Sequence, residues 1–340
     1  MVMIVCEHTI FHGLGIENLS TTEISSNSMK VFFQCFFIIA VDVFVFISGY
    51  YGIKFKFRGF LNITFQVLCY SILFLLVSLL INKQPSSIYF LLGSFFPVSM
   101  SQYWFISIYL ALYVISPFLN KGIEVFDKKM ILVLIAILFY FNSFSGFLFG
   151  TYSQSGYSIF NFIVIYLLGR MVMKYDLTIK NIRLNIFFYV LFYLAILLPL
   201  IIGAYIGHPM PLYKWWAYNN PLLIMAAIFF FFIFKNLNVP NSKFINLVAG
   251  QVLGVYIIHD NPLIRQYFIQ SISYLKAYLG DSPLLFVLSM VLFILSLYII
   301  CSLIELVRKK ITERPFEYLY SKLRCFFFKW KFVQKLKLNN

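Results

Sequence analysis

Apolar residues fall into ten stretches separated by short polar breaks, near 1–14, 31–52, 60–81, 103–120, 129–149, 159–175, 184–206, 219–237, 244–260 and 283–307. A helix rises 1.5 Å per residue, so crossing a hydrocarbon layer of about 30 Å takes about 20 such residues. The pattern therefore predicts an all-α, polytopic membrane bundle of about ten helices with little room for a soluble domain. The first stretch is short: about 14 residues reach only about 21 Å. No cationic flank precedes it and no signal-peptide cleavage pattern follows it, so this helix is expected to begin upstream, leaving the chain truncated at its N-terminus. Without a fixed-period repeat or a low-complexity linker, residues 1–310 read as one membrane-embedded domain. Residues 311–340 read as a basic, aromatic cytoplasmic tail whose rings (Phe326–Phe328, Trp330, Phe332) and lysines suit the membrane surface.

Cations give the chain a direction. Placed alternately on two sides, 22 of the 27 Lys and Arg residues collect on one side, and only Lys30, Lys83, Lys214, Arg265 and Lys276 on the other. Short cytoplasmic loops carry such an excess, so both ends of the chain are expected in the cytoplasm. Charged residues make up 11% of the 340 and hydrophobic ones 61%, which excludes an ordinary soluble enzyme. The net charge of +15 resides in loops that set topology, so nucleic acid is excluded as a partner. Five scattered cysteines, mostly inside apolar runs, suit neither a disulfide framework nor a zinc cluster, and no metal is expected. The lean toward Phe, Ile, Tyr, Lys and Asn is that of bacterial chains from AT-rich genomes, and a bacterial cytoplasmic membrane is the expected location.

Titratable side chains at membrane depth cost several kcal/mol, on the order of 2.5–3.5 each by insertion scales, so each is a functional candidate. The first stretch offers Glu7, His8 and His12, the two histidines on one helical face; Asp42 lies inside the second. Trp104, Tyr109 and Tyr113 follow in the fourth, His259 and Asp260 close the ninth, and Glu305 and Arg308 form an i, i+3 pair in the tenth. The spacing of His8 and His12 would suit zinc, but no Glu follows the first His as the hydrolytic motif requires. Lys54, Lys56 and Arg58 alternate with aromatics after Gly52, a pattern that on extended chain points three cations one way, toward topology or a polyphosphate. Trp215 and Trp216 read as interfacial anchors or a sugar platform.

The block Met3–His8, the block Val41–Tyr50, the run Tyr103-Trp104-Phe-Ile-Ser-Ile-Tyr109 continuing to Asn120, and Gly254-Val-Tyr-Ile-Ile-His259 together resemble, in matching order, the acyltransferase-3 family of bacterial membrane O-acyltransferases. The resemblance implies transfer of an acyl group, usually acetyl, from cytoplasmic acetyl-CoA to a hydroxyl of a surface polysaccharide or lipid-linked sugar. It makes His8 the counterpart of that family's first-helix histidine and Lys54, Lys56 and Arg58 the counterpart of its CoA-phosphate loop. The arginine that the family carries eleven residues before the histidine would precede Met1. A sugar hydroxyl needs a base, and an imidazole with an ordinary pKa near 6.5 suits that task. His8 is thus the expected base and Asp42 its orienting acid. Trp104, Tyr109 and His259 are expected at the substrate, the first two as donors to the oxyanion. The competing classes are a transporter or flippase for a lipid-linked sugar, and a truncated, non-catalytic membrane protein.

Overall fold

The computed structural model describes residues 1–81, 88–151 and 154–329, and these are helical, with no strand among them. Lys83 and the tail residues Trp330, Lys331, Phe332, Lys335 and Lys337 lie outside the described residues. Helix α1 (Val2–His8) runs on as a π-helical turn through Gly13. Helices α2 (Ser28–Phe37) and α3 (Ala40–Tyr51) make the second apolar stretch, with a step between them. Then come α4 (Phe57–Leu80), α5 (Ile88–Phe95), α6 (Trp104–Val125), α7 (Lys128–Phe139) and, after a π-helical segment, α8 (Gly146–Phe149). Helices α9 (Ile159–Lys174), α10 (Ile182–Tyr205), α11 (Leu212–Trp215) and α12 (Pro221–Lys235) follow. The chain closes with α13 (Lys243–Ala249), α14 (Val252–His259), α15 (Pro262–Leu279) and α16 (Pro283–Lys329).

Every predicted apolar stretch falls on helix. Among the described residues, six helical stretches are long and apolar enough to cross a membrane, α2 with α3 and α7 with α8 each counting as one, and a seventh is obtained if α13–α14 and α15 count as one broken span. The chain is thus a multi-pass membrane protein. Two elements depart from the pattern. Residues 262–279, expected as loop, form α15, which leaves α14 at an angle of 88°. Its start signal is local: the Asn261 side chain accepts from the Leu263 N–H, and Pro262 occupies the first turn, where its missing N–H costs nothing. Asn220-Pro221 opens α12 the same way. Helix α16 continues past Pro315, in one helix, as far as Lys329.

The centre of the bundle is α3 packed on α9, and glycine makes the approach possible. A Cβ at Gly49 would meet the Tyr166 backbone, and one at Gly169 would meet the Phe46 carbonyl and, at 2.7 Å, the Tyr50 nitrogen. Small residues at such crossings let backbones touch where lipid supplies no hydrophobic drive. Around this contact Phe46, Phe162, Tyr166, Ile165 and Val45 are fully buried. Replacing Gly49 or Gly169 by Ala should cost about 1–3 kcal/mol by overpacking. A drop in thermal stability of the detergent-solubilised protein checks this, and unchanged melting of both variants would refute the close crossing.

Candidate active site

The 88° bend at Asp260–Asn261 gathers most of the polar residues at one end of the bundle. His259 closes α14, and its Nδ1 lies 2.6 Å from the Val255 carbonyl one turn back. A carbonyl only accepts, so His259 Nδ1 carries a proton and, in the neutral ring, Nε2 carries the lone pair. His8 Nδ1 lies 3.0 Å from that Nε2 and is therefore the donor of the pair. The neutral His8 ring then keeps its lone pair on Nε2, whose acidic neighbour is Glu7 Oε2 at 3.4 Å. Glu7 is held in turn by Gln34, whose amide donates to Oε1 at 2.9 Å. Two histidines from α1 and α14 thus fix one another's tautomers and leave a single basic nitrogen.

Asp260 adds charge to this pair. Its Oδ1 lies 3.7 Å from His8 Nδ1 and accepts from the Arg265 guanidinium at 2.6 Å. Asp260 is buried while Arg265 is half-buried, so the ion pair closes the outer side of the cluster. Asn261 donates to the Tyr103 hydroxyl and ties the bend to α6. The π-helical turn after His8 brings His12 beside it, rings 5.4 Å apart, and His12 is bonded to Glu17 at 2.6 Å. Single ligand atoms of His8, His12 and Asp260 lie within 4.8 Å of one another.

A chamber of about 210 Å³ opens on this cluster, walled by Glu7, His8, Trp104, Tyr157, Tyr218, Tyr256 and Arg265 among others. Trp104 stacks on Tyr218 at 5.6 Å and meets Tyr157 at 4.5 Å. Of the residues expected here, His8 and Trp104 line the chamber and His259 supports it. Asp42 does not: Ala40 and Val41 line it, while both Asp42 carboxylate oxygens are buried with no hydrogen-bond partner. The carboxylate beside His8 Nδ1 is Asp260, from the far end of the sequence. Tyr109 is also elsewhere, its hydroxyl 3.4 Å from Ser48 Oγ.

The opposite end of the bundle carries the basic residues. After Gly52, in a left-handed conformation that glycine tolerates, the segment 53–56 runs without helix. Side chains of α6 and α9 satisfy its backbone: Ile53 N–H donates to the Tyr166 hydroxyl at 3.0 Å, Asn120 donates to the Ile53 carbonyl, and Lys56 N–H donates to the Tyr113 hydroxyl. The expected alternation stops at Phe57, where α4 begins, so Arg58 projects from a helix. Lys56 and Arg58 line a groove of about 670 Å³; Lys54 does not. Its other wall is α16, with Arg308, Lys309 and Lys310, and Arg58 is paired there with Glu317. Lys309 and Lys310 read in the sequence as topology alone and Arg308 as the partner of Glu305; their position beside Lys56 needed the fold. Glu305 is no simple surface pair: it is buried, grips Arg308 through two bonds of 2.7 and 2.9 Å and accepts from the Tyr70 hydroxyl.

A family model described as an acyltransferase domain, that of the acyltransferase-3 family, matches residues 1–305. The chain belongs to the acyltransferase-3 family. No curated protein and no solved structure matches it. The match covers the whole chamber and the Lys56 and Arg58 side of the groove, and ends at Glu305, so most of the α16 wall lies beyond it. In this acyltransferase, Arg265→Ala should leave Asp260 buried without its cation and cost about 1–3 kcal/mol. A double-mutant cycle with Asp260→Asn, followed by thermal denaturation, should recover most of that loss; full additivity would mean the two do not interact.

Proposed function

We propose that this acyltransferase transfers an acetyl group from cytoplasmic acetyl-CoA to a hydroxyl of a cell-surface polysaccharide or its lipid-linked precursor, in a bacterial cytoplasmic membrane. The observation that carries the reading is His8, its tautomer fixed by His259 so that the basic nitrogen is the Nε2 beside Glu7, lining a chamber in a chain of this family. His8 Nε2 takes the proton of the acceptor hydroxyl as its oxygen bonds to the thioester carbonyl carbon. The C–S bond then breaks, and the proton on Nε2 passes to the departing thiolate, leaving an ester and free thiol. The positive charge that His8 carries between these steps is balanced by Asp260 at 3.7 Å and Glu7 at 3.4 Å. Trp104 and Tyr256, both lining the chamber, offer N–H and O–H groups to the developing oxyanion.

The donor's phosphates belong, on this reading, in the groove between α4 and α16. Lys56, Arg58, Lys309 and Lys310 supply the charge, and Phe316 an aromatic surface. The lysine–arginine bias supports reading this as the cytoplasmic end, with all ten apolar stretches as spanning segments. Helix α14 spaces the two sites. Lys309 bonds the Gly250 carbonyl just before its first residue, and His259 is its last. Eight residues of helix measure about 12 Å, well short of the ~30 Å hydrocarbon layer, so a flexible thioester arm has a short way to go.

His8→Ala should abolish acetylation of surface glycan, read by mass spectrometry, with membrane insertion intact; retained acetylation would remove His8 from the mechanism. Lys310→Glu combined with Lys56→Glu should raise the KM for acetyl-CoA at least tenfold with little change in kcat, since the charges act on binding and not on the reacting atoms. An unaltered KM would exclude the groove as the donor site.

A further inference from the structure

A second, wider cavity of about 420 Å³ adjoins the chamber at His8, and Glu7, Phe11, Ile38 and Tyr157 line both. Besides Glu7 on α1 and Ile38 at the step between α2 and α3, three segments build it: the loop after α1, the residues before α9, and the turn around α11. The first is not slack. Ser20 and Glu23 cap each other through the Ser20 hydroxyl and N–H, which fixes the loop bearing Glu17, Leu19 and Thr21. The same bonds hold the Glu23 carboxyl below its ordinary pKa.

The walls are of two kinds. Phe11, Ile38, Tyr157, Leu212 and Tyr213 present apolar and ring surface, while Glu7, Glu17, Thr21, Gln154 and Ser155 present hydrogen-bonding atoms. A pyranose divides in the same way, with C–H faces for the rings and a hydroxyl edge for the acceptors. The volume is within the usual range for small-molecule sites. Charge narrows the class further. Among the described residues that line the cavity, the charged ones are Glu7 and Glu17, both acids. The basic groups near them are engaged: His12 is hydrogen-bonded to Glu17 at 2.6 Å, and Arg265 is bound to Asp260 in the neighbouring chamber. An anionic sugar would meet the Glu17 carboxylate and no free counter-charge, and one unfavourable charge pair in a partly wet cavity is worth about tenfold in affinity.

We propose that this vestibule is the acceptor site and that it selects sugars carrying no carboxylate or phosphate at the residue to be modified. The inference rests on the transferase reading above for the word acceptor, but its test does not need turnover. The wild-type chain in lipid nanodiscs, with no acyl donor present, is titrated with hexose, N-acetylhexosamine and hexuronate oligosaccharides at low salt, and binding is followed by saturation-transfer NMR. At least one neutral oligosaccharide should bind about tenfold more tightly than the uronate. The gap should shrink in Glu17→Gln and reverse in Glu17→Lys. Equal or tighter uronate binding, no binding of any neutral member, or a gap untouched by both variants would overturn the proposal. Selective binding by a chain that never acetylates glycan would remove the transferase reading and leave the vestibule standing. Acetylation with indiscriminate sugar binding would do the reverse.

Discussion

A polar side chain at membrane depth must find a partner within the protein, because lipid offers none. The hydrogen bond between His8 and His259 is the clearest answer to that demand here, and much of the functional end follows from it. It joins the first helix to the fourteenth across 251 positions of sequence. It needs α14 to end at His259, which requires the bend that Asn261 and Pro262 produce by capping and opening α15. It also decides the chemistry, because a bond from His259 Nδ1 to Val255 commits one proton, and the His8–His259 contact commits the next. What remains is the His8 Nε2, beside Glu7 in a residue that lines the chamber.

The same economy shapes the opposite end. Glu305 is buried and satisfied by Arg308, Tyr70 and, at 3.6 Å, Lys309. It fits against α14 only because residue 254 is glycine; a Cβ there would sit 2.6–2.8 Å from three Glu305 side-chain atoms. Helix α14 is therefore held at one end by a buried ion pair and at the other by a histidine pair. The chamber takes Tyr256 from this helix, and Lys309 of the groove bonds the Gly250 carbonyl just before it, so the helix packs between the two.

Hydropathy made the helical class and the membrane setting legible because each stretch had to satisfy lipid on its own. The ends of the stretches and the irregular segments were less so. Helix α15 escaped because Arg265, Gln266, Gln270 and Lys276 dilute its apolar character, although Asn261-Pro262 is a local start signal that owes nothing to hydropathy. His8, Lys56, Arg58, Trp104 and His259 were legible as rare polar or aromatic positions in apolar runs and in the basic turn. Arg308, Lys309 and Lys310 were visible but uninformative: a cation at a helix end sets topology whether or not it also binds anything. Glu17, Tyr157 and Tyr213 lie in polar connections, where such residues are common and only the fold shows that they share a wall.

The carboxylate at the imidazole illustrates the limit most sharply. In sequence, Asp42 is the natural partner for His8, since it is buried and belongs to the next helical unit. A helix nevertheless directs successive residues about 100° apart, so one step of register separates Val41, which faces the chamber, from Asp42, which does not. Asp260 fills the position by a different logic. It sits next to the histidine that already contacts His8, and Arg265, five residues on, neutralises it after the bend has turned the chain back. A bare buried acid would be expensive on its own, whereas an acid placed at a bend, with its counter-ion on the next helix, can be kept charged where an imidazolium must be stabilised. The helix bend thus brings the acid, its arginine and the second histidine to His8 from one short segment of chain.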